Sequence, residues 1–213
     1  MRIEVLNPNS SEEVTALIAE AAAALENGAD ITCTTLHDAP IGIESDADVA
    51  RVAPMVVARA AGTSAAGLVV ACFSDPGVAT ARPRASIPVI GIAEAAYREA
   101  AGRADRFGVV SLGPASVARH AAHLSALGLR DRLAGDRAVG MTVADGHAPG
   151  ALDRITPVAR ALIDRDGAGA VILGCAGMAA LRGPLQDRLG VPVIEPVQAG
   201  IRAAVAALRE GRA

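Results

Sequence analysis

The feature that most restricts the fold of this chain is an internal repeat. Ile87-Pro88-Val89-Ile90 returns as Val191-Pro192-Val193-Ile194, and each copy trails a cysteine: Pro88 follows Cys72 by 16 positions and Pro192 follows Cys175 by 17. Leu6-Asn7-Pro8-Asn9-Ser10 is matched by Leu112-Gly113-Pro114-Ala115-Ser116. Pro8 precedes Cys72 by 64 positions and Pro114 precedes Cys175 by 61. One such match is chance. Three ordered landmarks at near-equal spacing mark a duplicated unit, so the chain is expected to fold as two similar halves.

Each half alternates short β-branched runs with Ala-rich stretches of helical period. Strands are expected at 2–6, 30–35, 67–72, 89–92, 107–111, 170–173 and 191–194. Helices are expected at 11–25, 48–62, 93–101, 116–127, 151–166, 178–189 and 198–210. Continuous apolar strands separated by helices imply parallel sheets covered on both faces. Ser10 or Ser11, followed by Glu12 and Glu13, suits the start of the first helix. Asp75-Pro76 reads as an N-cap with proline at the first helical position, and Pro83 should keep that helix short. Gly28, Gly62, Gly167 and Gly190 stand where helices should stop. The expected architecture is α/β: two pseudo-symmetric lobes, each a mainly parallel sheet flanked by helices, with the active site in the cleft between them. The lobes divide into 1–101, carrying Cys72, and 102–213, carrying Cys175. The last helix is free to pack back on the first lobe.

Composition removes several classes of function. The 213 residues are 52% hydrophobic and 20% charged, which suits a packed core and argues against disorder. The net charge is −3 and only three residues are aromatic, Phe73, Tyr97 and Phe107, so a basic, stacking nucleic-acid surface is not expected. No apolar run is long enough to span a bilayer, and the N-terminus lacks a signal-peptide pattern. The expectation is a cytoplasmic protein. All twenty basic residues are Arg. Without Lys the chain can form neither a Schiff base nor a Walker-type phosphate loop. No cofactor and no metal are expected. Three widely spaced cysteines, Cys33, Cys72 and Cys175, read as free thiols rather than a disulfide framework.

Cys72 and Cys175 each end a strand, where open α/β sheets bind ligands. The duplication makes them equivalent and points both thiols into one cleft. That suits a two-base proton exchange, in which one group removes a proton from a carbon and the other delivers one to the opposite face. Each cysteine precedes an expected helix start, whose amides should favour the thiolate. Free cysteine is often only a buried space-filler. The duplicated position and the small residues after each thiol argue otherwise here. For Cys33, in mid-strand, the core reading stands.

At these residues the sequence resembles the hydantoin and allantoin racemase branch of the aspartate/glutamate racemase superfamily. The resemblance rests on Leu6–Ser10, on Ala71-Cys72-Phe73-Ser74-Asp75-Pro76-Gly77, on Pro88 to Ala95 and on Leu173-Gly174-Cys175-Ala176-Gly177-Met178, in family order over almost the whole chain. It implies cofactor-independent 1,1-proton transfer at C5 of a 5-substituted hydantoin or of allantoin, with Cys72 and Cys175 as the acid–base pair. It implies substrate contacts from Asn9, Phe73, Ser74, Ala176 and Gly177, with Pro8 shaping the turn and Ser111 and Ser116 as hydrogen-bond donors. The expected partner is a small molecule; relatives of this kind often form homo-oligomers, and no sequence feature fixes that state.

Three rivals remain open at this point. One changes the substrate to an amino acid, maleate or an arylmalonate; carboxylate substrates would want cationic clamps, and Arg82 and Arg84 lie outside the expected site. A second is a cysteine-nucleophile hydrolase using Gly174-Cys175-Ala176-Gly177, which would need a histidine partner. The third is a non-catalytic binding module. His120 and His123, three apart on a helix, read as a solvated face rather than a metal pair, and 140–150, with His147, reads as a loop.

Overall fold

A computed structural model describes residues 1–25 and 28–211. It holds two four-stranded sheets of one topology, ordered β2-β1-β3-β4 and β6-β5-β7-β8, with every pair parallel. The first sheet comprises β1 (Arg2–Asn7), β2 (Asp30–Thr35), β3 (Gly67–Val70) and β4 (Val89–Gly91). The second comprises β5 (Phe107–Ser111), β6 (Leu133–Ala138), β7 (Ala170–Leu173) and β8 (Val193–Ile194). The central strands β1, β3, β5 and β7 are almost wholly buried, as their continuous apolar runs require. The duplication is thus a repeat of fold as well as of sequence.

The strand β6 has no counterpart among the expected elements. Leu133-Ala134-Gly135-Asp136-Arg137-Ala138 lies at the open edge of its sheet and is only half-buried, so it carries no apolar run. A bulge at Phe107/Gly108 shifts its register.

Eight helices cover the sheets: α1 (Glu12–Ala23), α2 (Asp46–Gly62), α3 (Val78–Ala81), α4 (Ile92–Arg103), α5 (Pro114–Ala126), α6 (Ala151–Asp164), α7 (Arg182–Leu189) and α8 (Pro196–Arg209). Ser11 caps α1, its Oγ accepting from the Val14 N–H at 3.2 Å. Ser45 and Asp48 form a capping box at α2.

Two helices change sides. α4 follows the first sheet, yet its Ala93, Ala96, Tyr97 and Ala100 pack with Phe107, Val109 and Ile172 of the second. α8 follows the second sheet, yet its Val197, Ile201, Ala204 and Val205 pack with Ile3, Val5 and Val69 of the first. Each such buried side chain larger than Ala contributes about 1.5–3 kcal/mol. This exchange ties the two halves together. All three aromatic residues join the seam: Phe73 meets Tyr97 edge-on at 5.3 Å, and Tyr97 stacks on Phe107 at 6.0 Å.

The start of α4 departs from expectation. Asp75 does not cap the short helix that follows it; Gly77 takes that place, and Asp75 itself sits at φ 44°. The Asp75 carboxylate instead reaches the N-terminus of α4, accepting from the Ala93 and Glu94 N–H groups, each at 2.9 Å. It can do so because residue 91 is glycine: a Cβ there would fall on the Asp75 carboxyl group. In the second repeat the equivalent position after Pro192-Val193-Ile194 is Glu195. Its own carboxylate caps α8, accepting from Val197 N–H at 2.9 Å and Gln198 N–H at 2.7 Å. Both helices therefore begin on a buried carboxylate, one supplied in place and one from the Cys72 loop.

Candidate active site

The strands β3 and β7 stop at Val70 and Leu173, and each is followed two residues later by a cysteine, Cys72 and Cys175. Both line one cavity of about 50 Å³ between the sheets. The close approach of the second loop depends on Gly174, where a Cβ would stand 2.5 Å from the Val110 carbonyl oxygen. The two loops are equivalent in detail. The backbone N–H of Ser74 donates to Cys72 and that of Gly177 donates to Cys175, each two residues beyond its thiol. The Ser74 side chain adds a second hydrogen bond to Cys72.

These bonds pull the thiol pKa values down, but burial outweighs them, contrary to what the sequence suggested. Burial pushes Cys72 up to about 12 and Cys175 up to about 11. The reason is local. The helix after Cys72 has four residues and begins six positions later, and Cys175 is followed by a 3-10 turn, Ala176–Leu181. Neither presents a long helix dipole to its sulfur, so desolvation wins. Each thiol also feels negative charge: Asp75 and Cys175 act on Cys72, and Glu44 and Glu195 act on Cys175.

Asn9, Phe73, Ser74, Ser116, Ala176 and Gly177 line the cavity with the cysteines. Asn9 Oδ1 accepts from Asn7 Nδ2 at 2.8 Å and from the Ser11 N–H at 2.9 Å. Since a backbone N–H can only donate, the carbonyl side of Asn9 is fixed and its Nδ2 is the end left for the cavity. Pro8 is buried beside the site without lining it. Ser111 is fully buried and does not reach the cavity. Its hydroxyl donates to Asp136 Oδ1 at 2.5 Å and lies 3.1 Å from His120 Nδ1. A direct substrate contact by Ser111 is therefore replaced by a supporting one.

His120 is the residue that sequence reading passed over. It is 2% exposed, not on a solvated face, and it lines the cavity. Its Nδ1 lies 2.8 Å from Asp136 Oδ2, and Phe73 meets its ring edge-on at 5.0 Å. Asp136 stands on β6, the strand with no apolar signal, so the pair had no visible partner in the sequence. His123 is partly buried on the other side of the Cys72 loop, 3.9 Å from Asp75.

The remaining wall is apolar: Val14, Ile43, Leu112 and Val143. No Arg lines it. Two of the segments that line it are tied to each other. Glu44 Oε1 accepts the Val143 N–H at 2.9 Å, and Arg119 reaches Asp46 at 2.8 Å and Ser116 Oγ at 3.1 Å. Among the described residues no group of side chains is arranged to hold a metal ion, and no helix is long and apolar enough to cross a membrane.

Residues 3–204 match the family model described as Asp/Glu/Hydantoin racemase. The chain belongs to this family. Membership makes it an isomerase of the racemase class, as the cysteine segments implied. It is 35% identical over 214 residues to a hydantoin racemase of Paenarthrobacter aurescens, covering 96% of this chain and 89% of that one. It is 36% identical over 222 residues to a hydantoin racemase of Rhizobium meliloti, covering 100% and 91%. An allantoin racemase from Klebsiella pneumoniae superposes with a TM-score of 0.95 at 34% identity, covering all of this chain and 89% of that one.

Proposed function

We propose that this racemase exchanges the C5 proton of a 5-alkyl hydantoin between Cys72 and Cys175. The observation that carries the reading is the pair of thiols, brought from equivalent loops of the two repeats into one cavity. One cysteine acts as thiolate and takes the C5 proton, leaving an enolate with its charge on the adjacent ring oxygen. The other, as thiol, gives its proton to the opposite face of C5. The first cysteine ends as thiol and the second as thiolate, so the opposite hand is processed with roles reversed. Asn9 Nδ2 and the amides of the two cysteine loops supply donors for the developing charge.

The lining supports the substrate class. An amino-acid or dicarboxylate substrate would need cationic clamps, and no Arg faces the cavity. The wall of Val14, Ile43, Leu112 and Val143 suits an alkyl substituent better than the ureido group of allantoin. Burying a polar group without a partner costs about 1–3 kcal/mol. A nucleophilic hydrolase is disfavoured, because neither candidate base engages a thiol. Neither ring makes a hydrogen bond to Cys72 or Cys175 among the described residues: His120 bonds Asp136 and Ser111, and His147 pairs with Glu13 at 3.2 Å.

The test is incubation of single enantiomers of a 5-alkyl hydantoin and of allantoin in heavy water, following rotation by polarimetry and C5 exchange by NMR. Wild type should racemise the alkyl hydantoin faster. Cys72→Ser and Cys175→Ser should each abolish racemisation, each retaining exchange on one hand only. Faster turnover of allantoin would overturn the choice of substituent, and full activity in either variant would overturn the two-cysteine mechanism.

A further inference from the structure

The buried Ser111, His120 and Asp136 group has the composition of a hydrolytic triad but the wrong connections. Ser111 Oγ lies against Nδ1, the nitrogen that Asp136 already holds, and donates its own proton to Asp136. Ser111 is therefore not a nucleophile, and both residues serve one ring nitrogen of His120. A carboxylate at 2.8 Å from Nδ1 fixes the proton there. In the neutral tautomer that this bond selects, the lone pair lies on Nε2. Among the described residues Nε2 makes no hydrogen bond to protein, and His120 lines the cavity between the cysteines. The supporting carboxylate is itself buried, its side chain 3% exposed, so the arrangement is built inside the lobe rather than at its surface.

We propose that His120 Nε2 accepts a ring N–H of the substrate and so selects neutral cyclic ureides over carboxylates. Of the other polar groups facing the cavity, Asn9 Nδ2 and the loop amides can only donate, and the Ser74 and Ser116 hydroxyls are engaged with Cys72 and Arg119. Donors alone would receive a carboxylate as readily as a ring carbonyl. An acceptor fixed in the same wall meets a ring N–H with a hydrogen bond and a carboxylate oxygen with lone-pair repulsion. A site built to bond a particular polar group discriminates strongly against ligands that lack it. His120 is thus a specificity-determining residue, and Asp136 and Ser111 are positioning residues that act through it. The inference rests on the hydantoin reading and adds the residue that reads the ring.

The experiment uses the whole protein with histidine labelled by 15N, titrated with 5-methylhydantoin and observed by NMR. The free protein should show His120 as the Nδ1–H tautomer, and the ligand should move the Nε2 resonance while Nδ1 stays. In kinetics, His120→Leu should raise KM at least tenfold. His120→Gln, which keeps an acceptor oxygen, should recover most of that loss, and Asp136→Asn, which disturbs the tautomer, should fall between. Thermal melts identify any variant that fails to fold, and the wild-type titration needs no variant. An Nε2–H tautomer, an unmoved Nε2 resonance on saturation, or an unchanged KM in folded His120→Leu would overturn the role of His120. A wild type that neither binds nor racemises hydantoins would overturn the substrate reading and this inference together.

Discussion

Replacing Gly91 by Ala is the sharpest probe of how the two repeats are joined. Gly91 has φ −90° and ψ 138°, which any residue adopts, so Ala brings no backbone strain. Its methyl group, however, would occupy the place of the Asp75 carboxyl group. The carboxylate must move, and it loses its bonds to the Ala93 and Glu94 amides, each 2.9 Å. Such hydrogen bonds contribute about 0.5–1.5 kcal/mol each to a neutral carboxyl and more to a charged one, and overpacking a close site costs about 1–3 kcal/mol. With partial relaxation we expect a loss of about 3 kcal/mol. In an Asp75→Ala background the obstacle is absent, and the same substitution should cost less than about 0.5 kcal/mol. It could even stabilise, because Ala restricts the unfolded chain more than Gly does. Urea denaturation of wild type, both single variants and the double variant gives the coupling directly, expected at about 2–3 kcal/mol. Equal costs of Gly91→Ala in the two backgrounds would refute the reasoning, since the clash with Asp75 would then not be its cause.

The same carboxylate sets a pH dependence. Burial raises Asp75 to about 7 from its ordinary 3.8, so it holds a proton in the fold at pH values where the unfolded chain has lost it. Its stabilisation is full below about 3.8 and is lost as pH rises to about 7, on the order of 4 kcal/mol at about 1.4 kcal/mol per tenfold in acidity. Urea midpoints of wild type should fall between about pH 4 and 7, and Asp75→Asn should flatten that fall; Glu195, also raised to about 7, keeps a residual slope of the same sign. Gly174→Ala should disturb the turn into Cys175 through the Val110 carbonyl. It should cost about 1–3 kcal/mol in unfolding measurements and lower kcat for both enantiomers.

What the sequence made legible follows from where its signals come from. Apolar runs report central strands, so β1, β3, β5 and β7 were readable, and with the repeat they implied two parallel sheets and the convergence of Cys72 and Cys175. Of the two half-exposed edge strands, β2 still shows β-branched residues in Ile31-Thr32-Cys33-Thr34-Thr35, whereas β6 has none. Gly135-Asp136-Arg137 hid β6 and, with it, the partner that makes His120 more than a helix-face residue. The placement of α4 on the second sheet and α8 on the first is a property of packing between segments about a hundred residues apart, which periodicity does not encode. Asp75-Pro76 carries a genuine capping signal, but a cap acts on whichever amides are near in space, and those belong to α4 rather than α3. Ser111 was readable as a strand-end hydroxyl. Its burial behind His120 was not.

The thiols bear on how such a site can work at all. With Cys72 at about 12 and Cys175 at about 11, both are protonated in the resting protein near neutrality, and Cys72 is the weaker acid. The thiolate is the form that alkylates, so iodoacetamide should modify both sites far more slowly than free cysteine at pH 7.5. The rates at both sites should climb up to about pH 10 without a plateau. On the proposed two-cysteine mechanism, in which the free enzyme supplies one thiolate, kcat/KM for racemisation should rise with pH across the alkaline range. A high thiol pKa makes that thiolate scarce but a strong base toward a carbon acid. In that mechanism the second thiol, itself held protonated by burial, is the proton donor. Mass spectrometry of alkylated peptides against pH resolves the two sites. A plateau reached by pH 7 at either cysteine would show that its thiolate is stabilised by something stronger than the Ser74 or Gly177 amide, and the balance between burial and hydrogen bonding argued for these loops would be wrong.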